Sequence, residues 1–280
     1  MIWPLYLNEC VKIFSKLRTY IGFGAIALII PLAIWGFSVG GSGIQRNLLG
    51  QLEGEFLTTG NLANGMWASY TLMFALFIHV PFLITLGAGD AVAGEGTAGT
   101  FRIYLTRPIS RSRILFSKLL ASGTYSVALV FWLGLLSLGI GNIWLGAGDV
   151  FVLTGDEILI LPFEVALGRF AIAYLLAAFM MLTVTTLTFL FSVLVTNAVG
   201  PIVGTMAVLI VSTVLSVLNI DNLAWLQDNL FTTHFDVWQY AFYDPIPWDS
   251  IRSSLLNLGT YGAIFAVLSF YFFNRKDILT

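Results

Sequence analysis

The chain has 280 residues, of which 58% are hydrophobic and 10% are charged, and its mean hydropathy is +0.89. These values exclude an ordinary soluble domain, in which about 25% of residues are charged. The net charge of −2 offers no excess of cations, so we expect no nucleic-acid partner.

Charge is absent from five long stretches, which are 19–45, 56–89, 119–148, 170–220 and 253–274. A bilayer's hydrocarbon core is about 30 Å thick and takes about 20 apolar helical residues to cross. A charge at its centre costs roughly 2.5–3.5 kcal/mol on insertion scales. The pattern predicts an all-α integral membrane protein, multi-pass in the plasma (inner) membrane and surrounded by membrane lipids.

Residues 3–18 come first and predict a helix that lies in the membrane interface. Leu7, Val11 and Phe14 recur at helical spacing, with polar residues on the other faces. A frayed basic tail is the alternative interpretation. Cys10, the only cysteine of the sequence, forms no intrachain disulfide.

Six transmembrane helices then follow. Four charge-free runs fit one helix each, but 170–220 as a single helix would measure about 76 Å at about 1.5 Å per residue. Gly200 and Pro201 interrupt this run, which favours two spans with a tight turn between them. The predicted spans are about 20–41, 66–88, 116–145, 170–195, 200–219 and 255–273.

An even number of spans puts both termini on one side of the membrane. Ten of the 13 basic residues fall on that side, namely Lys12, Lys16, Arg18, Arg102, Arg107, Arg111, Arg113, Lys118, Arg275 and Lys276. Cytoplasmic loops carry such an excess, so we expect both termini to be cytoplasmic. The acidic segments 42–65 and 146–168 are then predicted to be loops on the outer side of the membrane. The aromatic segment 220–254 predicts short half-helices at the outer leaflet.

The cytoplasmic loop 90–115 carries the most specific pattern. From Glu95 to Lys118 the sequence reads EGTAGTFRIYLTRPISRSRILFSK. Pro108 stops a helix and Ser110 is placed to cap the next one. Cations follow at the start of that helix, where the helix dipole disfavours them, so we expect them to serve topology or docking.

This pattern resembles that of ATP-binding-cassette (ABC) transporter permeases of the type-two, exporter-type family. The matching residues are Glu95, Gly99, Thr100, Pro108, Ser110, Arg111 and Lys118. The outline is similar as well, with an interfacial helix, six spans, outer half-helices before the last span and a basic tail at 273–277. The specific matches all lie in this one stretch.

The resemblance implies a permease that works as a dimer with a second copy or a paralogue. A separate cytoplasmic ABC ATPase would bind the loop, with charge complementarity from Glu95, Arg102, Arg107 and Arg111. That partner would hold ATP and Mg, so this chain is expected to be no enzyme, with no catalytic residue and no cofactor of its own. Alternatively, the loop is basic only to hold topology.

The resemblance also implies a substrate path between spans two and five. Candidate lining residues are Thr71, Phe74, His79, Thr205 and Ser212. His79 lies well inside a span, where an ionisable group is a functional hypothesis. Alternatively, its imidazole bonds a carbonyl that Pro81 frees. Sparse charge along the spans favours an amphipathic cargo, while its identity stays open.

Other chemistries are less well supported by the sequence. Gly94-x-Gly96-x-x-Gly99 matches a dinucleotide fingerprint but follows a predicted membrane helix instead of a strand. GAGD ends at Asp90 and at Asp149, as in intramembrane aspartyl proteases, but the topology puts these carboxylates on opposite sides. Neither a Walker motif nor an HExxH or Cys/His cluster occurs, so we expect no metal site. A membrane scaffold or channel-like subunit without an ATPase is the alternative function.

Overall fold

The computed structural model describes residues 2–50, 63–97, 109–154, 157–218 and 224–275, which are mainly helical and contain one β-hairpin. The helices are α1 Trp3–Phe14, α2 Leu17–Gly50, α3 Gly65–Phe77, α4 Val80–Ala88, α5 Asp90–Thr97, α6 Arg111–Leu145, α7 Phe163–Leu194, α8 Gly200–Val217, α9 Ala224–Asn229 and α10 Trp248–Arg275. The strands are β1 Val150–Thr154 and β2 Glu157–Leu161, and 3₁₀ turns occupy Phe231–His234 and Val237–Phe242.

Among the described residues, five helices are long and apolar enough to cross a membrane, namely α2, α6, α7, α8 and α10. Helix α3 and the following helical segment Val80–Gly96 are together long and apolar enough to cross the membrane once more, and the angle of the bend between them is 57°. The break falls at Ile78 and His79, and Pro81, the second residue of α4, lacks a backbone donor at the start of that helix. The helical membrane architecture expected from the charge-free runs is therefore present.

The helices extend past the predicted spans where those were ended at charged residues. α6 begins at Arg111, not at 116, and α2 continues to Gly50, so the predicted outer loop 42–65 is helical in its first part. α7 and α10 each begin seven residues early and carry Glu164 and Asp249 in their first turns. Acids are favourable at helix N-termini because of the helix dipole, so these charges belong to the helices.

The predicted outer loop 146–168 contains the β-hairpin. Val150 pairs with Leu161 and Thr154 with Glu157 in an antiparallel register. Val150, Val152 and Leu161 are buried against the helical core. Two apolar, β-branched runs that flank Gly-Asp are a hairpin signal, so the sequence carried this information.

α7 forms the centre of the bundle. In the most apolar stretch of α7, 67% of the residues are buried inside the protein, compared with 11% in the corresponding stretch of α10. Hydroxyl groups of α7 form hydrogen bonds to three neighbouring helices. Thr183 donates to the Leu258 carbonyl of α10 at 3.1 Å, and Thr185 bonds Ser126 of α6 at 2.6 Å. Thr188 accepts from Thr205 of α8 at 3.2 Å. Such bonds hold apolar helices in register where the hydrophobic effect between them is weak.

The aromatic segment between α8 and α10 is only partly a surface feature. Trp225 and Trp248 are exposed, but Trp238 and Phe242 are buried in the core. Their rings pack edge-to-face on Tyr70 of α3, at centroid distances of 6.2 and 4.9 Å. The segment 220–254, predicted to form short half-helices at the outer leaflet, therefore also packs Trp238 and Phe242 onto α3.

Candidate functional site

Seven charged side chains meet at the end of the bundle where α1, α5 and the start of α6 lie side by side. We call them the ionic cluster: Glu9, Lys12, Lys16, Arg18, Asp90, Glu95 and Lys118. The cluster spans three separate parts of the chain. It therefore joins the N-terminal helix to both ends of the loop 90–115.

Four of these groups form a closed ring of ion pairs, which we call the ring. The Lys118 ammonium lies 2.7 Å from Glu9 Oε2 and 2.7 Å from Glu95 Oε1. The Lys12 ammonium lies 2.8 Å from Glu9 Oε1 and 3.0 Å from Glu95 Oε1. Two cations and two anions thus alternate, which offsets the cost of removing them from water.

The ring is deeply buried at its centre. The Lys118 side chain is 0% exposed, and those of Glu9 and Glu95 are 7% and 11% exposed. Burial acts to lower the pKa of Lys12, but the hydrogen bonds and charges of Glu9 and Glu95 outweigh it and raise that pKa. The geometry therefore holds the charged form of Lys12.

A second arm of the cluster lies nearer to solvent. Asp90 accepts from the Lys16 ammonium at 2.6 Å and from the Arg18 guanidinium at 2.8 Å. Its own side chain is 9% exposed, whereas those of Lys16 and Arg18 are 41% and 51% exposed. This arm attaches the junction between α1 and α2 to the first residue of α5.

One buried hydroxyl on α7 sets the position of α5. Ser192 Oγ donates to the Gly89 carbonyl at 2.7 Å and accepts from the amides of Val92 and Ala93 at 3.1 and 2.9 Å. It thereby satisfies backbone groups left free between α4 and α5. Glu95 then lies one turn further along α5, facing α1.

The predicted docking residues fall into separate groups. Glu95 and Lys118 contact α1 through the ring, so their charged groups are turned away from an open surface. Ser110 occupies the N-cap position of α6 without a side-chain cap bond, and Arg111 is half-buried next to it. The remaining predicted residues, Gly99, Thr100, Arg102, Arg107 and Pro108, lie outside the described residues.

Glu9 and Lys12 were missed as site residues by sequence reasoning. Their signal was weak: an i,i+3 pair of opposite charges on a short helix is usually a surface feature. The ring depends on contacts between residues 83 and 109 positions apart in the chain. The local sequence pattern therefore indicated only Glu95 and Lys118 among the four residues of the ring.

The five predicted path residues do not share one surface. Phe74 and His79 are exposed, whereas Thr205 and Ser212 are buried. Thr205 donates to Thr188, Ser212 bonds Thr232 at 2.7 Å, and Thr71 donates to the Trp67 carbonyl at 3.0 Å. These three hydroxyls are thus occupied within the protein.

His79 Nδ1 lies 2.8 Å from the Ala75 carbonyl oxygen, one turn back along α3. The backbone amide of His79 bonds Leu76 instead, so the imidazole takes the place of the usual helical donor. The carbonyl is that of Ala75 and not one that Pro81 itself would have bonded. This geometry favours the structural hypothesis for His79.

The two GAGD aspartates lie far apart. Asp149 Oδ1 accepts from the Phe163 amide at the start of α7, and the residues after Asp90 bond Ser192 near its end. These positions differ by about 44 Å along a helix that rises about 1.5 Å per residue. The carboxylates therefore cannot share a proton as an aspartyl protease requires.

A cavity of about 380 Å³ lies beside Met180, near the middle of α7, between the break after α3, the end of α8 and the two 3₁₀ turns. Phe74 is the one predicted path residue on its wall, while Asp236 and Trp238 also line it. The sequence reasoning missed these two because it treated segment 220–254 only as a leaflet anchor.

Comparison with known proteins gives two matches. A family model described as "Protein of unknown function (DUF2705)" matches residues 26–279. The "Uncharacterized protein YhcI" of Bacillus subtilis (strain 168) is similar to this chain, with 28% identity over 310 aligned positions that cover 98% of each chain. The match to the family model includes the Asp90, Glu95 and Lys118 side of the ionic cluster and begins after its N-terminal side.

Proposed function

The chain belongs to the DUF2705 family, and from that premise we propose that it is the transmembrane permease subunit of an ABC exporter. It works as a dimer with a second copy or a paralogue. A separate cytoplasmic ATPase, which binds ATP and Mg, docks on the loop 90–115. Six spans cross the plasma (inner) membrane, and both termini are cytoplasmic.

The distribution of basic residues supports this orientation. Lys12, Lys16, Arg18 and Lys118 gather at the same end of the bundle as Asn274, which lies 3.5 Å from Ser112 through its side chain. The loop 90–115 leaves and re-enters the bundle at this end. A cytoplasmic assignment for this end agrees with the positive-inside rule.

The observation that carries the proposal is the ring at the base of the loop. Glu95 precedes the middle of the loop and Lys118 follows it, and both are fixed to α1 through Glu9 and Lys12. A loop that is basic only for topology does not need buried ion pairs, whose desolvation costs several kcal/mol per ion. A loop that transmits force needs a stiff attachment to the helices that it moves.

The proposed coupling follows from this attachment. ATP binding draws two ATPases together and displaces the loop, and α1, α5 and α6 move with it because the ring joins them. The 57° break between α3 and α4 provides a bend at which the displacement changes the shape of span two. The substrate path runs between spans two and five at the dimer interface.

Co-purification with a P-loop ATPase tests the proposal, and the candidate is any soluble P-loop protein that a neighbouring reading frame encodes. Arg102→Glu reverses a charge in the loop and is expected to abolish co-purification. Lys118→Met opens the buried ring and is expected to keep co-purification but lose stimulation of ATP hydrolysis. Arg252→Glu, on the exposed surface at the far end of the bundle, is the control and should change neither.

Two results count against the proposal. One is co-purification that Arg102→Glu leaves intact. The other is an equal loss for the Arg252→Glu control, which would mean that docking is not confined to the loop. If the neighbouring reading frames encode no P-loop protein, the alternative function of a membrane scaffold would be favoured.

A further inference from the structure

The cavity beside the break between α3 and α4 has the size and setting of a ligand site. Its volume of about 380 Å³ lies within the range of about 300–1,000 Å³ that is typical of small-molecule pockets. Its walls come from four parts of the chain: α3 with the following break, Met180 of α7, the end of α8 and the 3₁₀ turns. A movement of either α3 or α8 would change its shape.

One wall of the cavity is aromatic. Phe74 and Phe77 of α3 both pack edge-to-face on Trp238, at centroid distances of 4.8 and 5.2 Å. Phe74 stays 44% exposed, so part of its ring is open to an incoming molecule. Aromatic rings bind apolar groups and also attract cations to their faces.

The lining also includes polar groups and one negative charge. Asp236 is the only acid among the described residues that line the cavity, and they include no Lys, Arg or His. Thr213 and Gln239 add neutral hydrogen-bonding groups. The lining therefore offers a cation one carboxylate to pair with and no competing positive charge.

The surroundings of Asp236 strengthen its attraction for a cation. Nearby protein withdraws water from the carboxylate and raises its pKa, although part of the side chain remains exposed. His234 is a neighbouring titratable group, and burial lowers its pKa, which favours the neutral imidazole. Within the described ranges no Lys or Arg forms an ion pair with Asp236, and a charged carboxylate that is partly desolvated interacts more strongly with an incoming cation than a fully solvated one.

We infer that this cavity binds an organic cation that carries apolar groups. The carboxylate of Asp236 pairs with the positive charge, while Phe74 and Trp238 contact the apolar part. An anion of the same shape is rejected by Asp236, and a small hydrated cation leaves the aromatic wall unfilled. The inference rests on the proposed function only in treating this ligand as exported cargo.

Equilibrium dialysis of the detergent-purified chain without any ATPase tests binding directly. Tetraphenylphosphonium is the probe, and tetraphenylborate is its counterpart of the same shape and opposite charge. We expect the chain to bind the cation saturably and at least about tenfold (about 1.4 kcal/mol) more tightly than the anion, because the carboxylate of Asp236 attracts only the cation. Micelles without protein give the background.

Substitutions then assign the contacts. Asp236→Asn should weaken cation binding about tenfold or more and remove the preference over the anion, whereas Asp236→Glu should retain both. Asp249→Asn removes an exposed acid that does not line the cavity and should leave binding unchanged. Phe74→Ala should weaken both ions similarly because the apolar wall is shared.

Equal cation binding by the Asp236→Asn chain and the unchanged chain would overturn the inference, as would tighter binding of the anion. A monodisperse elution profile for each variant shows that it is folded, and the Asp236→Glu and Phe74→Ala variants test the site if Asp236→Asn does not fold. Since no ATPase is present, failure of ATPase docking would leave this result unaffected. Failure of cation binding would likewise leave the docking experiment unaffected.

Discussion

Replacing Lys118 by Met removes one ammonium from the ring and keeps most of the side-chain volume. The ammonium is fully buried and lies 2.7 Å from a carboxylate oxygen of Glu9 and of Glu95. Without it, the two carboxylates of the ring share the single ammonium of Lys12. Removal of one partner from a buried ion pair costs about 3–5 kcal/mol, and we expect the free energy of unfolding to fall by about that amount.

A second substitution restores the charge balance. Glu9→Gln removes one carboxylate, so that in the double variant one ammonium, that of Lys12, again faces one carboxylate, that of Glu95. We expect the double variant to be about 1–3 kcal/mol more stable than the sum of the two single effects predicts. This coupling measures the ion pair itself, separately from the loss of packing.

Unfolding in mixed micelles with increasing dodecyl sulfate, followed by tryptophan fluorescence, gives the four free energies of the cycle. Arg113→Met is the matched control, because it removes the same charge from an exposed position on the same helix. We expect it to change stability by no more than about 0.5 kcal/mol. Additive single effects, or a loss in Lys118→Met no larger than that in Arg113→Met, would refute the ring as a coupled unit.

Two further predictions concern pH and packing. Because the pKa of Lys12 is raised in the folded protein, the stabilisation that its ion pairs contribute is complete below the ordinary pKa of 10.5 and is lost as the pH rises through the higher pKa of the folded state. Proteolytic release of α1 should therefore increase above pH 10.5. The Lys12→Met substitution should flatten that increase. At the far end, a Cβ on Gly65 would overlap the backbone of Gly141, so Gly65→Ala should lower the free energy of unfolding by about 1–3 kcal/mol. Gly139→Ala, which meets open space, should have little effect in the same unfolding assay, and equal losses would show that α3 and α6 do not pack in this way.

The helices could be predicted well because the cost of charge in a bilayer acts on local sequence. The break between α7 and α8 follows from Gly200 and Pro201, and both flanking helices are present. Helix ends were less accurate because a charged residue such as Arg111 or Asp249 can occupy the first turn of a helix whose remainder is apolar. Charge marks where the bilayer ends more closely than where the helix ends.

The candidate sites depended on contacts that no local pattern reveals. Glu95 and Lys118 were found from the loop motif, but their partner Glu9 is 109 residues away from Lys118 along the chain. Phe74 and Asp236 both line the cavity, although the sequence places Phe74 in the second span and Asp236 in the outer aromatic segment 220–254. The β-hairpin is a contrasting case, since its two runs and their turn were readable and the Gly-rich composition around them obscured the pattern.

The central claim is that a cytoplasmic ATPase binds the loop 90–115, and site-specific cross-linking tests it most directly. With Cys10 replaced by Ala, the chain carries no native cysteine, so a single cysteine in place of Thr106, a loop residue with no assigned docking charge, can hold a photo-reactive maleimide. A cysteine in place of Arg252 serves as the control at the far end. We predict a permease–ATPase product from position 106 and none from position 252. No product from position 106, or an equal product from both positions, would contradict the claim.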